Sequence, residues 1–405
     1  MSQLERLRAL LARTIPQNRF YIPRVAAAGL TADVASVAEF SRRMTFTTKQ
    51  DLVADQTEHP PYGTNHSAPL ASYTRFCQTS GTTGRALVIL DTNESWGSLL
   101  ANWEVIYRAA AVAPGDRVYF AFSFGPFLGF WTAFEAAAGY GCLCIPGGGL
   151  SSAGRLRAII EHRAEVLCCT PTYALHLAEI AGHEGIHLAS AAVRKIIVAG
   201  EPGGSVPAIR ERISAAWNGA RVIDHYGMTE VGPVAFEDSA RPGVLRIIDD
   251  SYFAEIIDPV TGAPVPEGAG ELVLTTLGRT ASPLLRYRTG DLVKATRDAH
   301  GLALEGGIIG RTDDMIVVRG VNLYPAAVEG VVRSIDGILE YRVHVTRRGE
   351  MPELRVEVET GEPAAAVVLE RALNAAFALR IPVTGVPPGT LPRFEMKARR
   401  WLFSD

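Results

Sequence analysis

Between Ser95 and Gly227 the chain alternates short runs rich in β-branched and aromatic residues with longer amphipathic stretches, a rhythm that few folds accommodate. Arg117–Ser123, Gly141–Ile145, Glu165–Thr170, Lys195–Ala199 and Arg221–His225 read as strands. Trp96–Ala111, Leu128–Ala138, Gly154–His162, Tyr173–Ala181 and Val206–Trp217 read as the helices between them. Strand-helix-strand repetition is the mark of parallel βαβ units, so the expected fold is α/β with a doubly wound, mostly parallel sheet. Such a sheet binds ligands at the carboxyl ends of its strands. The sequence places Phe124-Gly125-Pro126-Phe127, Pro146-Gly147-Gly148-Gly149, Gly200-Glu201-Pro202 and Tyr226-Gly227 at those ends.

From Val244 to Leu292 the pattern changes to short alternating strands broken by turns such as Asp258-Pro259-Val260-Thr261-Gly262, which predicts an antiparallel β subdomain. After Gly310-Arg311 it changes again, to a β-β-α-β-like segment covering Met315–Arg319, Pro325–Ser334 and Leu339–Thr346, then a helix over Ala364–Ala378. A chain of 405 residues is long for one domain. The expected division is a large domain over 1–312 and a small α+β domain over 313–405.

Charge and composition remove several function classes. A formal net charge of −3 leaves no basic excess for neutralising nucleic-acid phosphates. No run of eighteen apolar residues offers a membrane span. The N-terminal stretch Leu4–Arg13 interleaves charges at helical spacing and reads as a packed helix, so the expected location is the cytoplasm. Cys77, Cys142, Cys144, Cys168 and Cys169 lie in apolar surroundings and read as reduced core thiols.

One loop carries chemistry on its face. Thr79-Ser80-Gly81-Thr82-Thr83-Gly84-Arg85 combines glycines that let backbone N–H groups point inward with hydroxyl donors and a closing cation, the ingredients of a phosphate cradle. It is not a P-loop: Gly81 and Gly84 are too close together, and Ala86 stands where a magnesium-binding hydroxyl would follow the cation. Further along come Asp224-His225-Tyr226-Gly227-Met228-Thr229-Glu230, Tyr287-Arg288-Thr289-Gly290-Asp291, Gly310-Arg311-Thr312-Asp313-Asp314 and Leu391-Pro392-Arg393-Phe394-Glu395-Met396-Lys397. Taken singly, each is equally a turn or a charged hairpin. In this order and register, the set resembles the adenylate-forming superfamily, most closely its phenylacetate-CoA ligase-like branch. Asn18-Arg19-Phe20-Tyr21 and Phe46-Thr47-Thr48-Lys49-Gln50-Asp51-Leu52 are similar to N-terminal segments of that branch, so the resemblance runs nearly end to end.

The resemblance implies ATP-dependent joining of a carboxylate to AMP with loss of pyrophosphate, followed by transfer to CoA. It implies that Thr79–Arg85 holds the departing phosphates, that Tyr226 stacks on the adenine with Gly200, Glu201 and Pro202 as the other wall, and that His225 and Gly227 are among the nucleotide-binding residues. Thr229 is expected at the α-phosphate, Glu230 on Mg²⁺, Asp291 on the ribose hydroxyls and Arg311 beside it. Asp313 is the implied hinge of a mobile small domain, and Lys397 the catalytic cation that domain carries. Two departures stand out: Arg85 replaces a lysine, which changes the geometry of a phosphate contact, and Phe394 and Met396 replace residues that are polar or glycine in the family. Some relatives hold zinc in a cysteine cluster; the stretch leading up to Gly310, where such a cluster would be sought, has no cysteine, so no zinc is expected here.

For the acid itself, Phe122, Phe124, Phe127, Phe130 and Trp131 crowd the loop and helix start where relatives house it, and such a lining suits a flat aryl ring. His225, Ser123 and the Gly147–Gly149 run (Gly147, Gly148, Gly149) are candidates for polar contacts to ring substituents, and Gly125 is a further substrate-site candidate. The sequence leaves open the acid, a homodimer, and an acceptor other than CoA, such as a carrier-protein thiol or a hydroxyl or amine of a small molecule. A non-catalytic nucleotide-binding protein is the rival of another class, and retention of Thr229, Glu230, Asp291 and Lys397 together argues against it.

Overall fold

The computed structural model describes all residues except 80–85, 315, 319–320, 349–350, 395–398 and 405, and the backbone alone at 317, 322, 347–348 and 351–352. Strands β1 (Tyr73–Gln78) and β2 (Val88–Thr92) form an antiparallel pair. Next come β3 (Arg117–Phe120), β4 (Leu143–Pro146), β5 (Val166–Cys169), β6 (Lys195–Val198) and β7 (Arg221–Met228), which lie parallel in the order β4-β3-β5-β6-β7.

The helices between these strands cover both faces. Leu156, Ile159, Leu177, Ile209 and Ile213 pack on one side, and Trp103, Ile106, Tyr107, Ala133 and Ala137 on the other. The helix Pro171–His183 shows how local chemistry sets an element: Thr170 caps it through its hydroxyl, Pro171 opens it, and Tyr173, Ala174 and Leu177 give it a buried stripe. The doubly wound arrangement is therefore as expected, with strand ends shifted. The run expected to continue to Ser123 leaves the sheet after Phe120, and residues 122–127 form the loop above it.

The antiparallel part is a continuation of the same sheet. Strands β8 (Gly232–Glu237), β9 (Val244–Ile247), β10 (Tyr252–Ile257), β11 (Gly268–Thr276), β12 (Tyr287–Asp298) and β13 (Gly301–Arg311) extend it to eleven strands, in the order β7-β8-β9-β13-β12-β11-β10. The joint is β7. Its first half, Arg221–Asp224, pairs parallel with β6, and its second half, His225–Met228, pairs antiparallel with β8. One strand thus serves both halves, and the motif Tyr226–Glu230 emerges where they meet. The N-terminal helices pack against the antiparallel half through Leu7, Leu10, Leu11, Phe20, Tyr21 and Phe40.

Beyond Arg311 the elements form separate sheets. Strands β14 (Ile316–Val318) and β15 (Val321–Leu323) make a small pair, and β16 (Ile338–Arg348), β17 (Met351–Thr360), β18 (Val383–Val386) and β19 (Trp401–Ser404) make a four-stranded sheet ordered β18-β17-β16-β19. The helices Pro325–Arg333 and Pro363–Phe377 cover it through Val328, Val332, Leu369 and Leu373, giving this part its own core. All five cysteines are free thiols. Among the described residues, no helix is long and apolar enough to cross a membrane.

Candidate active site

The site is built on two turns, after β7 and after β6, and on the start of β12. The first, between β7 and β8, carries Thr229 and Glu230. Gly227 is obligatory there, since a Cβ would sit 2.8 Å from the Gly232 carbonyl oxygen, and Gly232 takes the left-handed conformation (φ +98°) that closes the turn. From below, Tyr252 donates its hydroxyl to the Val231 carbonyl at 2.8 Å. Arg279 donates to the carbonyls of Thr229 at 3.0 Å and Glu230 at 2.8 Å.

Arg279 is 1% exposed and forks onto the equally buried Asp91 of β2, with Nε 2.7 Å from Oδ1 and Nη2 on Oδ2. Burial works against this guanidinium, yet the Asp91 carboxylate more than offsets it and the pKa is raised. The turn bearing Thr229 and Glu230 is therefore fixed to the strand that follows the Gly/Thr/Ser loop. No motif marks this link, because an isolated arginine and aspartate stand 188 positions apart.

The second element is the start of β12, which carries Asp291 directly after Gly290 (φ +75°). The Asp291 backbone N–H donates to Thr289 Oγ1 at 3.0 Å, and its carboxylate accepts from the Tyr226 hydroxyl at 2.6 Å and from Arg311 Nη1 at 2.8 Å. Arg311 turns its other edge to Asp313, at 2.8 and 3.1 Å. Burial opposes the Arg311 charge, but the bond to Asp313 and the charge of Asp291 hold its pKa above the usual range. Burial, then the Asp291 charge, pushes the Tyr226 hydroxyl well above a tyrosine's ordinary pKa, so it remains a donor. Tyr226, Asp291, Arg311 and Asp313 thus form one chain of contacts across β7, β12 and the segment leaving β13.

His225 lies apart from this chain, as strand alternation requires. Its ring packs on Trp103 at 4.4 Å, burial lowers its pKa to about 3, and its Nδ1 has no hydrogen-bond partner among the described residues. Behind it, burial raises the Asp224 carboxyl to about 7 even though Ser205 donates to it at 2.6 Å.

The third element is the turn that follows β6. Gly200 adopts φ +91°, and Glu201 accepts from the Thr172 N–H at 2.8 Å, at the start of the helix Pro171–His183. Pro202 is exposed beside them.

Glu230 has a neighbour that the sequence reading passed over. Its carboxylate is 6% exposed and meets Lys49 Nζ at 3.3 Å. Lys49 opens a helix whose Thr48–Asp51 capping box fixes the first turn. Thr47 pins that helix to the strand leading to Asp291: its N–H bonds the Arg286 carbonyl, and its own carbonyl receives the Arg288 N–H. In sequence, the segment Phe46–Leu52 is marked by its family resemblance alone. The signal available was a lysine at a helix start.

Of the expected phosphate loop, Ser80, Gly81, Thr82, Thr83, Gly84 and Arg85 lie outside the described residues, as does Lys397. Thr79 is described and sits at the loop's base, its N–H and hydroxyl both bonded to the backbone of Leu87 at 3.0 Å. It closes the hairpin.

The acyl-pocket candidates do converge. Phe122 stacks on Phe130 at 4.2 Å, Phe124 meets Trp131 at 4.9 Å, and Phe127 meets Phe130 at 5.8 Å. The Gly125 carbonyl accepts from the Trp131 indole at 2.8 Å. Gly147 fits only as glycine, since a Cβ would lie 2.8 Å from the Phe120 carbonyl, and one at Gly148 would lie 3.7 Å from Phe124. Arg155, 2% exposed, ties the two loops together by donating to the Gly147 carbonyl at 2.9 Å and Ser123 Oγ at 3.3 Å.

Comparison with known proteins agrees with this architecture. Residues 27–279 match the family described as AMP-binding enzyme, and residues 320–403 match the AMP-binding enzyme C-terminal domain. The chain belongs to the AMP-binding enzyme family. A relative in that family, a phenylacetate-coenzyme A ligase of Thermus thermophilus, is 32% identical over 99% of this chain and 95% of its own. A solved 2-hydroxyisobutyryl-CoA ligase in the postadenylation state, with 2-HIB-AMP, superposes with a TM-score of 0.93 at 28% identity, covering 99% of this chain and 89% of that one. The same AMP-binding enzyme in its thioesterification state, with 2-HIB-AMP and CoA, gives 0.71 at 29% identity, covering 99% and 88%.

Proposed function

We propose that this protein activates an aromatic carboxylic acid with ATP, forming an acyl-adenylate and releasing pyrophosphate, and then transfers the acyl group to CoA. Adenylation and CoA transfer follow from membership of the AMP-binding enzymes and near full-length similarity to acid–CoA ligases. The observation that carries the site assignment is the chain of contacts Tyr226–Asp291–Arg311 at the β7 joint, with Glu230 on the turn that leaves β7. The aryl substrate is supported by the stacked rings of Phe122 and Phe130 beside Phe124 and Gly148.

In this reading Asp291 accepts the ribose hydroxyls, with Arg311 beside it and Tyr226 against the base. Asp291→Ala should weaken ATP binding about ten- to a hundredfold, since a hydrogen bond to a charged group contributes roughly 1.5–3 kcal/mol. Calorimetry beside a thermal melt checks this, and parental affinity in a folded variant would misplace the ribose.

Glu230 fits Mg²⁺ in being an anionic oxygen ligand, the kind a hard cation takes, on a nearly enclosed turn. When bound, the ion would neutralise charge on the departing phosphates. Lys49 meanwhile keeps that carboxylate oriented and balances its charge. Glu230→Gln should shift the magnesium needed for half-maximal adenylation upward by about tenfold, because an amide oxygen is the weaker ligand for a hard cation. A magnesium titration that overlays the parent's removes Glu230 from the site.

Asp313, held by Arg311 at the exit from β13, is the proposed hinge between a domain over 1–312 and one over 313–405. The whole reading is tested by pyrophosphate release across benzoates, aminobenzoates, hydroxybenzoates, arylacetates and short aliphatic acids, with and without CoA. The expected result is release with an aryl acid and a CoA thioester as product. An aliphatic preference overturns the aryl assignment, and release indifferent to CoA points to another acceptor.

A further inference from the structure

The geometry points to Glu179 and Thr172, on the large N-terminal part, as positioning residues that seat the C-terminal part for adenylation by holding Arg393 and Arg400. This rests on the function proposed above. Arg393 donates Nε to Glu179 Oε2 at 3.0 Å, while Nη1 and Nη2 fork onto Glu359 of β17 at 3.0 and 2.6 Å. Glu359 is fully buried, and although burial resists its ionisation, Arg393 draws its pKa down to about 2. Arg393 therefore belongs firmly to the C-terminal part, and its third edge is what reaches across.

Arg400 repeats the design. It is bound within the C-terminal part to Glu340 at 2.7 Å and Glu329 at 3.2 Å, and it extends Nη2 to Thr172 Oγ1 at 3.3 Å. Both acceptors lie on the helix Pro171–His183. That helix starts beside the nucleotide site, where Glu201 receives the Thr172 N–H. Arg393 stands four positions before Lys397, so the two arginines flank the segment that must be presented.

Each donor is fixed on one part and each acceptor on the other, so rotation of the C-terminal part breaks both contacts together. The pose observed is the one that superposes at 0.93 on the postadenylation state and at 0.71 on the thioesterification state of a relative. With Glu179 and Arg393 30% and 26% exposed in their side chains, the ion pair is a modest bias between poses. A modest bias suits a contact that must be released once per turnover.

The test compares Glu179→Gln and Thr172→Val with the parent in three measurements. These are acid-dependent ATP–pyrophosphate exchange, acyl transfer to CoA from pre-formed acyl-AMP, and tryptic cleavage within residues 311–325 without substrate. Exchange should fall about two- to fivefold for Glu179→Gln, the range a partly exposed ion pair gives, with a smaller fall for Thr172→Val. Transfer should stay at or above the parental rate, and tryptic cleavage should quicken. A merely structural role would slow both half-reactions alike and lower the melting temperature, and that result, or unchanged exchange and cleavage, overturns the inference. If the parent itself exchanges pyrophosphate with no acid, the proposed function fails, and the cleavage rates alone then decide whether these contacts seat the C-terminal part.

Discussion

Arg279→Leu should destabilise the protein by roughly 3–5 kcal/mol, because it strips the counterion from a fully buried carboxylate. Asp91 is inaccessible, and its charge is met by the two arms of Arg279. Urea denaturation gives the number. Removing both charges together, as Asp91→Leu with Arg279→Leu, should recover a good part of the loss, since paired deletion leaves no orphan ion. The same single change frees the carbonyls of Thr229 and Glu230, so adenylation should fall even under conditions where the variant stays folded. A loss below about 1 kcal/mol would mean that water reaches the Asp91 carboxylate.

Lys397→Ala should remove most of the acid-plus-ATP rate, about a hundred- to a thousandfold. That is the usual loss when a charge contact made chiefly in the transition state disappears, roughly 3–4 kcal/mol. The sequence register places this lysine in the segment that follows Arg393, and the family resemblance gives it the carboxylate and α-phosphate as partners in the adenylating pose only. The variant, supplied with pre-formed acyl-AMP and CoA, should therefore transfer the acyl group at close to the parental rate. Loss of both steps would indicate damage to the fold or a lysine used throughout. Loss of neither would leave Lys397 a surface charge.

Different parts of this molecule were legible to different degrees, for physical reasons. Tyr226, Asp291 and Arg311 were readable because each sits in a short motif whose glycine or flanking residues are forced by local backbone geometry, as at Gly227 and Gly290. The βαβ rhythm was readable because buried parallel strands are continuous apolar runs. The continuity of the sheet was not, since β7 changes partner between Asp224 and His225. No periodicity marks such a change, because both halves are extended chain. The insertion of β13 between β9 and β12 was likewise invisible, because strand order is set by pairing that composition does not encode. Lys49 and Arg279 escaped for a further reason. Their partners, Glu230 and Asp91, are far away along the chain, and only the folded sheet brings them within reach.

The docking of Thr47 beside Tyr287 bears on how this protein is made. The Thr47 hydroxyl donates to the carbonyl of Leu285, 238 positions later. At about 5–20 residues per second, a ribosome needs roughly 10–50 s to supply that partner. Through this interval the helix bearing Lys49 has no strand to settle on, and the apolar faces of Phe20, Tyr21 and Phe40 lack the surface they finally cover. Nascent chains of this protein should therefore engage chaperones until β12 emerges, and chains truncated before it should accumulate as insoluble material.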